Sequence, residues 1–212
     1  MEVVQALRLY ENQPITHQIL MDSLAEYKRP NDKVYELLKS GVLQSVKRGI
    51  YLAGPSLGLN QPEPFLIANH LLGPSYVSLD AALAYHGLIP EQVFEVSSVT
   101  TKSTRKFNTS VGVYSYTRLP LPYYSFGIEY VSFGNQQNAM VASAEKALCD
   151  KIITTAGIVF RSTVNAYDYL LESLRMDEER LKALDLDKIQ SWWVDAPKRE
   201  SLVMLVKMIK AL

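Results

Sequence analysis

Cysteine is nearly absent from the 212 residues. Cys149 stands alone, so no intramolecular disulfide can form and no zinc site can be built on several thiolates. The three histidines, His17, His70 and His86, are widely spaced, and none pairs at the four-residue interval of a helical metal site. Neither sign of charge is in excess, with 22 Lys and Arg against 22 Asp and Glu, so whole-chain charge names no partner. No run approaches 18 apolar residues, which argues against a membrane span. The segment Met1–Arg8 is neither basic nor continuously apolar, so a signal peptide is not expected. The ten glycines are scattered at turns and form no P-loop, G-x-G-x-x-G or G-x-S-x-G motif. With 48% hydrophobic and 21% charged residues, the composition is that of an ordinary globular protein. Disordered, fibrous and disulfide-scaffold classes are excluded, no metal or cofactor is implied, and a reducing, cytoplasmic location is expected.

Proline and glycine divide the chain. Gly54 to Pro64 carries Pro55, Pro62, Pro64, Gly54 and Gly58, which reads as a linker over residues 55–64 between units at 1–54 and 65–212. In the first unit, Glu2–Leu9 reads as a short helix. Thr16 caps a second helix running to about Tyr27, and Lys28-Arg29-Pro30 interrupts it. A third helix starts at Pro30, carries Val34, Leu37 and Leu38 on one face, and stops at Gly41. Leu43 to Leu52 reads as two strands around Lys47-Arg48-Gly49. Helix, helix, break, helix, hairpin is the order of a winged helix-turn-helix. In the second unit, helices are predicted at Phe65–Leu72 and Asp80–Tyr85 and from Ser143. Strands are predicted at Tyr76–Leu79, Val93–Thr101, Gly112–Arg118 and Ile128–Phe133. From Ile158 onward only helices are expected, near Thr163–Arg175, Asp177–Leu184, Leu186–Val194 and Pro197–Ala211. The predicted class is α+β: an N-terminal winged helix followed by a mixed α/β domain with a helical C-terminus.

Although total charge cancels, local charge does not. Between Tyr27 and Gly49, Lys28, Arg29, Lys33, Lys39, Lys47 and Arg48 face only Asp32 and Glu36. Lys28 and Arg29 lie where the third helix begins, and a helix N-terminus favours phosphate. Lys47 and Arg48 lie at the hairpin tip, where a wing meets DNA. The expected DNA-contacting set is Lys28, Arg29, Asn31, Lys33 and Lys39 on the helix, with Lys47, Arg48 and Tyr51 on the wing. Asn31 belongs there because its amide can pair bidentately with adenine. A second run, Lys102, Arg105, Lys106 and Arg118, contains no acidic residue between Ser98 and Arg118. It reads as an extension of a nucleic-acid surface, as a surface for an acidic protein, or as a hairpin loop.

Signals for catalysis are thin. A Cys149/His86 nucleophile–base pair conflicts with the apolar helix face that holds Cys149. Glu91, Glu95 and Lys102 give only a faint version of a nuclease centre. His86 reads as a helix-end residue that satisfies carbonyls. Tyr114, Tyr116, Tyr123, Tyr124, Phe126 and Tyr130 suit either an interface or the core of a sheet, and Trp192-Trp193 reads as core plus rim.

Three stretches resemble the AbiEi family of antitoxins. They are Thr16–Leu52, ending Lys47-Arg48-Gly49-Ile50-Tyr51-Leu52; Tyr76-Val77-Ser78-Leu79-Asp80-Ala81-Ala82-Leu83-Ala84-Tyr85-His86-Gly87-Leu88-Ile89-Pro90-Glu91; and Val141-Ala142-Ser143-Ala144-Glu145-Lys146-Ala147-Leu148-Cys149-Asp150. The resemblance spans roughly residues 14–155. It implies a non-enzymatic antitoxin of a type IV, abortive-infection toxin–antitoxin pair. The implied partners are double-stranded DNA of its own promoter, which the winged helix represses, and a nucleotidyltransferase-like toxin countered by the C-terminal domain. Arg48 and Gly49 match the family's wing, whereas Asp32 and Glu36 interrupt the basic recognition helix the family often has. Two other readings remain: a transcriptional regulator whose second domain senses a ligand or protein, and a nucleic-acid-processing enzyme that uses the winged helix for docking.

Overall fold

The computed structural model describes residues 3–212. The chain is α+β, as its sequence predicts. Helix α1 spans Val3–Arg8, and the expected start at Glu2 lies outside the described residues. Strand β1 (Ile15–Thr16) leads into α2 (His17–Ser23), whose N-terminus is capped by Thr16 Oγ1 accepting from the Ile19 amide. Pro30 occupies the first turn of α3 (Pro30–Lys39). The hairpin of β2 (Leu43–Lys47) and β3 (Ile50–Ala53) turns at Gly49, whose φ of 86° is a conformation that favours glycine. These strands and β1 form a three-stranded antiparallel sheet in the order β1-β3-β2. Ile15, Leu20, Leu24, Val34, Leu37 and Leu43 close a small apolar core beneath the helices.

After one 3₁₀ turn at Pro55–Leu57, the connecting segment is tied down at its far end. The amide of Glu63 donates to Gln137 Oε1 at 2.6 Å. Helix α4 (Pro64–Leu71), β4 (Ser75–Val77) and α5 (Leu79–Tyr85) follow. The sheet is completed by β5 (Glu95–Thr100), β6 (Arg105–Thr109), β7 (Gly112–Arg118), β8 (Ile128–Ser132) and β9 (Asn138–Ala142). Six strands run in the order β6-β7-β5-β4-β9-β8, with β5–β7 and β4–β9 parallel. Strands β6 and β9 were not expected from the sequence.

One sheet face takes α4: Tyr116 donates its hydroxyl to the Ala68 carbonyl at 2.6 Å. The other takes α5 and α6 (Ala144–Thr154). Tyr114, Tyr116, Tyr123 and Tyr124 are buried, so the aromatic cluster is mainly core; Tyr130 alone of its tyrosines is well exposed, at 72%. Trp192 is buried and Trp193 half-buried, matching the core-plus-rim expectation.

The C-terminal helices close over α6. Helix α7 (Thr163–Tyr167) continues as a π-helical turn, Asp168–Ser173, where one α-helix was expected. Short helices α8 (Glu178–Lys182) and α9 (Leu186–Trp192) lead to α10 (Arg199–Ile209). Lys198 satisfies the end of α6, donating to the carbonyls of Ile152, Thr155 and Ile158 at 2.9, 2.8 and 2.7 Å. Among the described residues, no helix is long and apolar enough to cross a membrane.

The β2–β3 hairpin belongs to both units. Val46 and Leu52 are buried in the core of the larger sheet, while Leu43 of the same hairpin packs into the smaller core.

Candidate nucleic-acid interface

Helix α3 is held by one narrow face. Val34 and Leu37 are buried, and Asn31, Asp32, Tyr35, Glu36 and Lys39 are exposed. Asn31, Tyr35 and Lys39 follow each other at four-residue intervals, which aligns them in one stripe. Tyr35 is 70% exposed. It was absent from the sequence-derived set, although its spacing from Asn31 and Lys39 was there to be read. At the helix start, Arg29 is the N-cap residue and no side chain caps the first turn, leaving amides free for an anion.

The electrostatics of α3 are weaker than its lysines suggest. Arg29 lies 3.7 Å from Asp32, and Lys33 lies 2.7 Å from Glu36. The hydrogen bond from Lys33 to Glu36 holds the ammonium above its ordinary pKa. Lys33 also sits 5.6 Å from the centre of the Tyr27 ring. Lys28, Lys39 and Arg48 form no ion pair among the described residues.

The hairpin departs from expectation at Lys47. Its ammonium does not project from the tip toward solvent; it donates to the Leu71 carbonyl at the end of α4 and sits 5.1 Å from the centre of the Phe107 ring. The cause is the packing of Val46 and Leu52 into the second unit, which turns this end of the hairpin onto α4 and β6. Burial lowers the Lys47 pKa, and the positive charges of Arg105 and Lys102 lower it further. Arg48 at the tip is exposed. Tyr51 lies on the central strand, opposite Ile15 and Ser45, half-buried and 6.4 Å from the His17 ring. It is therefore a packing residue of the small sheet and not a tip residue.

Of the second basic run, Arg105 and Lys106 lie on β6 and Arg118 on β7, with Lys102 in the connection before β6. Arg105 opposes Tyr116 and Phe107 opposes Tyr114 across β6–β7. That register sends Arg105, Phe107 and Arg118 to the α4 face and Lys106 to the other. Lys106 is consequently neutralised by Glu95, leaving Lys102, Arg105 and Arg118 together around a cleft of about 490 Å³ with Leu72, Thr101 and Ser103.

The weaker chemical constellations come apart. Glu91 is bound to Arg175 and Glu95 to Lys106, and each contact holds its glutamate below the ordinary carboxylate range. They do not converge with Lys102. Cys149 is fully buried, and burial pushes its thiol up, opposite to what a nucleophile needs. His86 Nε2 donates to the Ala142 carbonyl at 2.8 Å. Its own carbonyl accepts from Arg180 at 3.2 Å. Gly87, at φ 67°, lies so close that a Cβ would stand 3.1 Å from the Arg180 guanidinium. These are helix-end contacts, as the sequence suggested.

A buried ionic cluster underlies the Ser143–Asp150 segment. Ser143 caps α6 by accepting from the Lys146 amide. Lys146 and Asp150 are fully buried, 2.9 Å apart. Asp150 Oδ2 accepts from the hydroxyls of Tyr76 at 2.9 Å and Ser78 at 2.8 Å. Lys146 donates to the Tyr123 carbonyl at 3.0 Å, with its ammonium 3.3 Å from the Tyr123 ring centre. The cluster joins α6 to β4 and to the segment before β8, and is closed to ligands. No protein-family model matches the chain, and no curated protein matches it.

Proposed function

We propose that this chain is a DNA-binding antitoxin of the AbiEi kind. Its N-terminal winged helix represses its own promoter, and its second domain counters a nucleotidyltransferase-like toxin without catalysis of its own. The observation that carries the DNA reading is the free face of α3, where Asn31, Tyr35 and Lys39 form an exposed stripe. A helix bound by one side only can enter a major groove with the other. Lys28 and Arg29 at the uncapped start of α3 suit a phosphate, and Arg48 at the hairpin tip suits the adjacent backbone. The antitoxin half rests on the sequence resemblance, and the inert settings of Cys149 and His86 favour a non-enzymatic role.

Two assays test this reading on the full chain. Fluorescence anisotropy compares upstream DNA with a scrambled duplex. Asn31→Ala and Tyr35→Ala should weaken upstream DNA selectively, with each lost base contact worth about 1–3 kcal/mol, whereas Arg48→Ala should weaken both duplexes. Equal affinity for both duplexes would remove the repressor. Co-expression with a neighbouring nucleotidyltransferase-like toxin should restore growth, and continued growth arrest beside well-expressed protein would leave the regulator reading instead.

A further inference from the structure

The larger sheet ends in two edge strands, β6 and β8, that are finished differently. Strand β6 carries Arg105 and Lys106, and charged side chains are a usual guard against edge pairing. Strand β8 lacks that guard. Ile128-Glu129-Tyr130-Val131-Ser132 contains no lysine and no proline, and it runs along β9 without a bulge.

The open side of β8 can be read residue by residue. The Ser143 amide donates to the Gly127 carbonyl and the Phe133 amide to the Gln137 carbonyl, each at 2.8 Å. Antiparallel bonding alternates along a strand, so Gly127, Glu129, Val131 and Phe133 point their peptide groups at β9. Met140 gives the same phase from the other strand. It stands opposite Tyr130, yet its amide donates to Asn69 Oδ1 at 2.6 Å and its carbonyl accepts from Asn69 Nδ2 at 3.3 Å. Ile128, Tyr130 and Ser132 therefore turn their amides and carbonyls away from β9, where they meet no partner among the described residues.

The strand is also complementary to itself. When two copies pair antiparallel about Tyr130, Tyr130 faces Tyr130, Ile128 faces Ser132 and Glu129 faces Val131. All the outward residues then meet one another, and each such pair exchanges two backbone hydrogen bonds. A slip of one residue would aim outward groups at inward ones. A slip of two in one direction sets Glu129 against Glu129, and like charges directly opposite are unfavourable. A slip of two in the other direction leaves Ile128 beyond the end of the facing strand. Tyr130 is 72% exposed and Met140 beside it 38%. Across the twofold, the two tyrosines and two methionines would form one stripe on one sheet face, of the residue types that interfaces favour.

We infer that β8 is a self-association edge, through which two copies of this chain pair and join their six-stranded sheets into one. The inference is independent of the DNA-binding reading. One short strand a side is little for a permanent interface, so the dimer is weak and concentration-dependent.

The test is sedimentation velocity of the full chain over a concentration series. Wild type should pass reversibly from monomer to dimer. Tyr130→Lys sets two ammonium groups opposite each other and should weaken dimerisation about tenfold or more. It should melt like wild type, because the side chain it replaces is exposed. Ser132→Pro removes an outward amide, which an edge strand tolerates, and should weaken dimerisation as well. Cysteines then read the register. Glu129→Cys and Val131→Cys proteins, mixed under mild oxidation, should form a disulfide-linked dimer, since these positions face each other with Cα atoms about 4.5 Å apart. Either protein alone should not, since its own position recurs only diagonally. Cys149 is fully buried and does not compete. A wild type that stays monomeric throughout overturns the inference. So does a Tyr130→Lys protein that dimerises as tightly as wild type, or crosslinking as fast in either single sample as in the mixture. A monomeric wild type that retains a co-expressed protein, where Tyr130→Lys does not, assigns the edge to another protein's strand and overturns self-pairing.

Discussion

Helices α3 and α6 carry the same sequence device and use it differently. Each places a lysine one turn before a carboxylate, Lys33 before Glu36 and Lys146 before Asp150. On α3 the glutamate is 66% exposed and water screens the attraction. On α6 both groups are fully buried, and the pair is supported by Tyr76 and Ser78, which donate to Asp150 Oδ2, and by the Tyr123 carbonyl, which accepts from Lys146. Burial lowers the Lys146 pKa while Asp150 opposes the loss of its proton. Spacing alone therefore decides little. The α3 pair modulates charge on a free surface, and the α6 pair locks three segments together.

The largest expected effect comes from breaking the buried member. Lys146→Met leaves Asp150 charged in a closed site and should cost about 3–5 kcal/mol in urea unfolding, with much of it recovered by Lys146→Met/Asp150→Leu. A cost no larger than that of a surface pair would erase the contrast. Next come the two neighbours in the hairpin. Lys47→Met removes the donor from the Leu71 carbonyl and should cost about 1 kcal/mol while leaving the salt slope of DNA binding almost unchanged. Arg48→Ala should do the reverse: stability within about 0.5 kcal/mol of wild type and a slope smaller by about 0.9. Matching effects of both substitutions on DNA would return Lys47 to the tip.

A third test uses pH and Glu145, on the first turn of α6. Burial would raise its carboxyl, but the Asp185 amide, its own backbone amide, Ser143 and Lys188 together bring it below the ordinary value of 4.5. A carboxyl depressed in the fold stabilises above its unfolded pKa, and that contribution fades as pH falls through the folded value. Acidification from about pH 5 to about pH 3 should therefore cost wild type more than Glu145→Gln, by under about 1 kcal/mol. Equal losses would remove Glu145 from the acid response. The smallest effect is expected on α3. Glu36→Gln should leave the thermal midpoint within error and free Lys33, steepening the DNA salt slope by up to about 0.9. No change would mean that Lys33 never reaches phosphate.

Local signals were legible in the sequence where one element sets its own structure. The Thr16 cap, Pro30 in the first turn of α3 and the Gly49 turn all stand as read, and α6 begins next to the expected start at Ser143. Strand β6 escaped because it is an edge strand pairing only with β7, with three of its five residues exposed and no clean alternation of apolar residues. Strand β9 escaped because Asn-Ala-Met-Val-Ala has little intrinsic strand preference; β4 on one side and β8 on the other impose it. In the candidate interface, exposure of Lys28, Asn31, Lys39 and Arg48 was readable from helical spacing and turn position. The inward turn of Lys47 was not, since it depends on a carbonyl 24 residues away and a ring 60 residues away. The partition of Lys106 from Arg105 was equally hidden, because it follows from the register of a strand the sequence concealed.

The hairpin shared by both cores has a practical consequence for modularity. Sequence punctuation invites a cut at the proline-rich connection, yet Val46 and Leu52, upstream of it, fill the larger core. A fragment beginning after the connection would present a greasy notch where they were, and its failure to act would reflect misfolding as readily as a missing activity. Exchange of the N-terminal unit between such proteins should succeed only when the hairpin, or at least its Val46/Leu52 side, stays with the body it plugs.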